Sequence, residues 1–234
     1  MSDQIKSMQL YPRAERIYSE LAALGYAPDA PVPVEVLTQF DQLHYHGVDA
    51  LDAAIATCGM AGGQSVLEVG SGWGGCARYL AKTSGARLTA VELQEDYNAV
   101  AQDLTQRAGL AARVDHVNAD FLELPVTDSS FDHAVSWLAL FHIPDRPRYQ
   151  AKIRDALKPG GSFFAEDLYL IRDPEDEEEF ARHLFPNSLV TEPEYRASLA
   201  GTGFEAVTFT DMTADWAAFT ARRLQDFRAN RAAY

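Results

Sequence analysis

Four glycines in six positions follow a short apolar run in VLEVGSGWGG, Val66 to Gly75. Gly70 and Gly72 can take positive φ or let a ligand lie directly on the backbone, and a helix beginning behind them offers unpaired N–H groups. The spacing is G-x-G-x-G-G, which matches the dinucleotide pattern only if Gly75 is counted, so the glycines alone also describe a tight turn. Acidic residues narrow the choice. Glu68 precedes the first glycine by two positions, where a carboxylate can meet an ammonium group directly or through water. Glu92, in LTAVELQ, follows the glycines by about twenty residues, the place where α/β nucleotide sites use an acid to accept from ribose hydroxyls. Asp120 and Phe121, in NADFLELP, set an acceptor for an adenine amino group beside a ring that can pack on the base. All three acids are expected to face one crevice.

To bring them there the chain must alternate strands and helices. Short apolar runs read as strands at about Ser65–Val69, Arg87–Glu92, Val114–Asn118, His133–Trp137, Ser162–Glu166 and Ala206–Thr210. Helical patterns fall between them at about Gly74–Lys82, Gln94–Ala108, Arg146–Leu157 and Pro193–Gly201, and KPGG (Lys158–Gly161) marks a sharp helix-to-strand turn. About sixty mostly helical residues come first: Tyr11 to about Leu24 with Pro12 near the start, about Pro33–Phe40, and VDALDAAIATCGM closed by Gly62-Gly63. The stretch from Thr213 reads as an amphipathic helix capped by Thr213 or Asp215. The expected fold is α/β, a doubly wound, mostly parallel sheet of Rossmann-like type. Residues 1–62 form an N-terminal helical lid, 63–212 the core and 213–234 a C-terminal helix.

Composition sets limits on partners. The chain has 234 residues, with 34 acidic against 20 basic side chains and a formal charge of −14. Such a charge repels phosphate backbones and anionic membranes, so neither nucleic acid nor membrane is an expected partner. Part of the acidity is the run DPEDEEEF, Asp173–Phe180, read as a solvated segment. Cys58 and Cys76 have no metal spacing and cannot build a disulfide framework; two buried thiols in a reducing compartment fit better. The N-terminus lacks the apolar centre of a signal peptide, and no eighteen apolar residues run together, so a soluble, cytoplasmic protein is expected, monomeric or homodimeric. His44 and His46 alternate in LHYHG without a third ligand near by, and no metal site is expected.

Taken in order, VLEVGSGWGG, VELQ, NADFLELP, SFDHAVSWLALFHI and LKPGGSFFAED resemble the class I S-adenosylmethionine-dependent methyltransferases over roughly Ser65 to Thr210. The resemblance implies that Glu68, Gly70, Ser71 and Gly72 surround the methionine part of the cofactor. It further implies that Glu92, with Leu93 beside it, binds ribose, that Asp120 and Phe121 hold adenine, and that Ser136 and Trp137 approach the sulfonium. S-adenosylhomocysteine would be the product.

Finer likenesses, in GSGWGGCARYLA, in the segment Asn118–Arg146 and in PEYRASLAGTGF, are to sarcosine/dimethylglycine and, more distantly, phosphoethanolamine N-methyltransferases. They make His44 and Tyr45 residues of a turn over the cofactor and His142 a base, paired in the phosphoethanolamine enzymes with a tyrosine that Tyr11, Tyr18 or Tyr45 could supply. The usual seventh strand has no counterpart, since nothing strand-like follows Thr210. Trp137, Phe141, Tyr169 and Trp216 are candidates for an aromatic wall, and Glu166-Asp167 for holding a cationic amine; Phe131 and Phe163 are expected in the core.

A methyl acceptor must lose a proton or arrive neutral, which gives a base such as His142 its use; a histidine packed against its own loop fits the same position. The expected function is methyl transfer to a small molecule, an amine in the narrower reading, with oxygen or carbon acceptors open. A nicotinamide dehydrogenase and a non-catalytic cofactor-binding module are the rivals.

Overall fold

The structure, a computed structural model, describes residues 13–171 and 188–229. Tyr11, Pro12 and the acidic run 173–180 lie outside the described residues. Helix α1 is Arg16–Ala23, α2 the single turn Val34–Leu37 and α3 Val48–Cys58. The last of these stops earlier than Gly62 because Gly59 turns left-handed (φ 66°) and donates its N–H to Ile55 O.

Five strands follow: β1 (Ser65–Val69), β2 (Arg87–Glu92), β3 (Val114–Asn118), β4 (Phe131–Trp137) and β5 (Leu157–Glu166). Helices α4 (Gly75–Ser84), α5 (Glu95–Arg107) and α6 (Arg146–Ala156) join them. Every pairing is parallel and the order is β3-β2-β1-β4-β5, so the winding reverses between β1 and β4. At such a reversal the two flanking connections leave in opposite directions and open a crevice at the carboxyl ends of the strands.

The central strands carry apolar residues on both faces because both faces are covered. On one face Val66, Leu88, Ala90 and Val135 meet Leu51 of α3 and Leu80 of α4. On the other, Leu67, Val69, Val91 and Ala134 meet Tyr149 and Ile153 of α6. A third cluster joins Ile17 and Leu21 of α1 and Leu37 of α2 to Trp73, Tyr97 and Leu104. Trp73 is its anchor, stacked on Tyr97 with centroids 5.2 Å apart and donating Nε1–H to Ala14 O at 2.9 Å.

KPGG lies inside the span of β5 yet still turns. Leu157 pairs with Phe131 and Ser162 with His133, so Lys158–Gly161 stand opposite the single residue Asp132, with Gly160 at φ 79° and Lys158 Nζ on Asp132 Oδ2.

The expected strand Ala206–Thr210 is absent. Ala206 is left-handed (φ 53°), Arg196 donates to Val207 O at 3.2 Å, and Phe209 packs edge-on against Tyr169 at 5.2 Å and faces the Arg196 guanidinium. These contacts hold the segment on α7 (Glu192–Gly201) instead of on the sheet, and no strand follows β5 among the described residues. Helix α8 (Thr213–Ala229) buries none of its side chains. The side chain that accepts the Thr213 N–H at its start is Asp211, not Thr213 or Asp215. No described helix is long and apolar enough to cross a membrane, and no cluster of metal-ligating side chains occurs among the described residues.

Candidate active site

Strand termini place the acids. Glu68 near the end of β1, Glu92 at the end of β2 and Asp120 just past β3 line one cavity at the reversal point. The glycine turn forms its floor. Gly70 and Ser71 both donate to Val91 O, at 2.9 and 3.0 Å, which fastens the turn to β2. Gly70 is left-handed (φ 78°), and a Cβ there would fall 2.2 Å from Ala139 Cβ, so only glycine lets the turn lie against the β4 loop. The second glycine pair serves the protein itself and lies outside the lining. A Cβ on Gly74 would come within 2.4 Å of His116 Cε1, and one on Gly75 within 2.5 Å of Asp41 O.

Glu92 takes two backbone N–H groups, from Gly72 at 2.7 Å on Oε2 and from Gln94 at 2.8 Å on Oε1. The Leu93 N–H also favours its charged form, and a carboxylate accepts up to about four hydrogen bonds. Glu68 is more confined: 1% exposed, with an Oε2 that accepts no hydrogen bond. Burial pushes its carboxyl up to about 8, opposed by Arg78 and reinforced by Glu92. Asp120 Oδ1 accepts from Leu122 N–H at 2.9 Å, Leu93 lines the cavity near by, and Phe121 presents a buried ring to it with Lys152 Nζ 5.3 Å from the ring centroid.

On the far side Trp137 ends β4, and the chain makes a 3-10 turn, Leu140–His142, that sets His142 in the lining beside Ile143. The His142 ring lies tilted against that of Phe141, with centroids 4.0 Å apart. Ser136 does not reach the cavity, because its hydroxyl donates to Val69 O at 2.8 Å within the sheet. His44 closes this side from the segment before α3. It is buried, with Nδ1 3.0 Å from Tyr45 O and Nε2 2.9 Å from Gln42 Oε1, and burial pushes its imidazole down to about 4.

Tyr45 lies outside the lining. Its ring stacks on Trp216 of α8 at 4.4 Å, steered there by the left-handed pair His46 (φ 59°) and Gly47 (φ 53°), so Tyr45 and His142 are not brought together. The expected aromatic wall does not assemble either: of Trp137, Phe141, Tyr169 and Trp216, only Trp137 lines the cavity. Phe131 and Phe163 are half-buried against the α6 side of the core. Asp167 is spent on structure, accepting from Tyr195 OH at 3.0 Å and from the N–H groups of Phe141 and Leu168, with Arg146 at 3.9 Å.

The charged side chains lining the cavity among the described residues are Asp41, Glu68, Glu92 and Asp120, with no Lys or Arg. Arg78 faces Asp41 at 2.8 Å, both side chains sealed from solvent. Arg78 offsets Asp41, so the preference for a cation rests on Glu92 and Asp120, with Glu68 able to ionise against a bound cation.

The family described as "Methyltransferase domain" matches residues 66–161. An O-methyltransferase of Aspergillus nomiae is 30% identical over 153 residues, 64% of this chain and 68% of the relative. The chain belongs to the class I S-adenosylmethionine-dependent methyltransferases. A sarcosine/dimethylglycine N-methyltransferase of Halorhodospira halochloris is 33% identical over 150 residues, covering 63% of the chain. The methyltransferase spans about half the length of that relative, 54%. In fold it is similar to Haemonchus contortus phosphoethanolamine N-methyltransferase 2 in complex with S-adenosyl-L-methionine, at TM-score 0.75, 24% identity, and coverage of 82% of this chain and 45% of that one.

The cofactor of this methyltransferase is S-adenosylmethionine. Its sulfonium is the kind of cation that an acidic cavity with an unpartnered buried carboxylate oxygen suits. Sequence reasoning missed several lining residues, among them Asp41, Leu43, Cys76, Gln94 and Tyr97. Gln94 was within reach, two positions after Glu92, whereas Asp41 and Leu43 arrive from a distant segment with no motif of their own.

Proposed function

We propose that this methyltransferase moves the cofactor's methyl group to a small-molecule acceptor, an amine in the first reading. The observation that carries it is the convergence of Glu68, Glu92 and Asp120 on one cavity floored by bare backbone at Gly70–Gly72. The cofactor, when bound, supplies an electrophilic methyl on sulfur. Glu68 would face its ammonium group, Gly70, Ser71 and Gly72 its methionine part, Glu92 and Leu93 its ribose, and Asp120 with Phe121 its adenine. Trp137, His44 and His142 would stand on the acceptor side, and residues before β1 would close the cavity through Asp41, Leu43 and His44. Alignment of the partners and exclusion of water are the main catalytic needs of such a displacement.

An acidic lining supports an amine over an anion. The described lining offers no Lys or Arg for the carboxylate of sarcosine or dimethylglycine, so the reading stays at the amine. An oxygen acceptor is the second reading, supported by the O-methyltransferase relative. Two free thiols, one buried and one half-buried, support a reducing, cytoplasmic setting. Calorimetric titration tests the cofactor: binding of NADH without binding of S-adenosylmethionine would sink the proposal. Incubation with methyl-labelled cofactor and a metabolite extract tests the transfer, and a complete absence of labelled product would leave only a binding module.

A further inference from the structure

Past β4 the strand ends continue to β5, where the in-register partner of Trp137 is Glu166. Partners in register on neighbouring strands send their side chains to the same face. The Glu166 carboxyl thus stands beside the Trp137 indole, on the side of the sheet away from β2 and β3 with Glu92 and Asp120. Three observations meet there. Glu166 Oε2 is buried and accepts no hydrogen bond. Trp137, 6% exposed and part of the cavity wall, has an indole Nε1–H with no acceptor. His44, also in the wall, brings Nδ1 within 3.9 Å of Glu166 Oε2 while Tyr45 O and Gln42 hold its ring in place. Glu166 does not itself line the cavity; its free oxygen lies behind the wall that Trp137 and His44 form. Buried polar atoms without partners are uncommon, and two of them, one in the wall and one directly behind it, mark where a polar ligand completes the set.

Resting on the methyltransferase reading above, we propose that Trp137, His44 and Glu166 bound the acceptor subsite and that Glu166 takes the proton the acceptor must lose. The acceptor's N–H or O–H bond breaks, an O–H bond forms on Glu166, and the lone pair left behind is free to attack; the carboxyl later returns its proton to water. Burial holds this carboxyl at about 7, which suits a base working near neutral pH. Of the other titratable groups around it, Cys76 on α4 lies in the field of Glu68, Asp41 and Glu166 together. Asp167, next in the chain, is turned onto Tyr195 and the backbone of Phe141 and Leu168.

The test is kinetic and spectroscopic. Wild type, Glu166→Gln and His142→Asn are assayed with methyl-labelled cofactor against sarcosine, dimethylglycine, N-methylphenethylamine and a catechol, from pH 6 to 10. Amines and phenols lose their protons in bulk near pH 10. With an accepted compound, Glu166→Gln should lose about 100-fold or more in kcat/KM at pH 7 and close that gap as the pH nears 10, while its affinity for sinefungin stays at the wild-type value. An equal loss at every pH, or none, overturns the proposal alone; recovery by alkali confined to His142→Asn overturns it too. No methylated product from wild type, with the panel and with a whole metabolite extract, overturns the methyltransferase reading and this inference with it. Independently, in protein carrying 13C-carboxyl glutamate, the resonance that vanishes in Glu166→Gln should titrate near pH 7 in wild type. Titration in the ordinary carboxylate range would overturn the assignment even if the variant folds poorly.

Discussion

Arg78 Nη2 and Asp41 Oδ2 meet at 2.8 Å with both side chains shut off from water, which fastens the segment carrying Leu43 and His44 to the helix behind the glycine turn. Arg78 also reaches Ala101 O and Thr105 Oγ1, so the pair is part of a wider set of bonds. Removing one member of a buried pair strands the other charge, which costs about 3–5 kcal/mol. Asp41→Ala should lower unfolding stability by that amount in urea titration and weaken cofactor binding by calorimetry. A loss below about 1 kcal/mol would mean that Arg78 finds water or another acceptor.

Gly70 and Gly109 are both left-handed, at φ 78° and 70°, but differ in surroundings. A Cβ at Gly109 meets nothing within 4 Å, whereas one at Gly70 collides with Ala139 Cβ at 2.2 Å. Gly109→Ala should cost about 1 kcal/mol through backbone strain alone and leave cofactor affinity intact. Gly70→Ala must move the β4 loop or the glycine turn, and should weaken cofactor binding by 100-fold or more, on the order of 3 kcal/mol. Calorimetry on the two variants separates conformational strain from a blocked cradle.

Glu92 ties the glycine turn to the start of α5 by accepting from Gly72 and Gln94. Glu92→Ala leaves both N–H groups without this partner, at about 1–3 kcal/mol for each that finds no water, and removes the expected ribose acceptor. S-adenosylmethionine affinity should fall 10- to 100-fold. Glu92→Gln keeps the shape and should lose less. An unchanged dissociation constant for Glu92→Ala would remove this residue from the cofactor site.

Buried carboxyls make the ligand-free protein sensitive to base. The Glu68 carboxyl rises from an ordinary 4.5 to about 8 because burial disfavours its charge. Glu166 at about 7 and Asp167 at about 6 move the same way. A raised carboxyl is still protonated in the fold over a range where the unfolded chain has lost the proton. Its contribution is thus complete below pH 4.5 and is lost as the pH climbs to about 8. The melting temperature should fall between pH 5 and 8, by roughly 5 °C or more, and Glu68→Gln should flatten the profile. A wild-type melting temperature that rises across this window would contradict the environment described for Glu68.

Helix α8 meets the turn beside the cavity through Trp216 and Phe219 on Tyr45, and through Phe219 and Asp215 on His46, the last at 2.5 Å. These are partly solvated contacts, each worth about 0.5–1.5 kcal/mol or less. Trp216→Ala should leave the melting temperature of the core within about 2 °C and speed hydrogen exchange throughout α8. Unchanged exchange there would show that α8 is held by something else.

How much of this could be read from the chain depends on the range over which each signal acts. The boundaries of β1, β2 and β3, and the acids that close them, are local: an apolar run, a glycine or polar break, and a side chain at the break. They were legible residue by residue, as were the helices α5 and α6. The parallel order and the crevice followed from alternation, because short strands separated by helices leave few ways to cover both faces of a sheet.

Contacts between distant segments were another matter. Nothing near Gly75 announces that Asp41 will press against it, nor anything near Tyr45 that Trp216 will draw its ring out of the cavity. Ala206–Thr210 has the composition of a strand, yet Arg196, Tyr169 and Tyr195 compete for it and win. Glu166 and Asp167 are neighbours in sequence, but the strand pleat sends one beside Trp137 and the other into the Arg146–Tyr195 network. The sequence by itself determined the strand ends, the glycine turn and the charges available to a cofactor. Tertiary structure alone decided which carboxylates stayed unpaired, since pairing depends on segments dozens of residues apart coming within bonding distance.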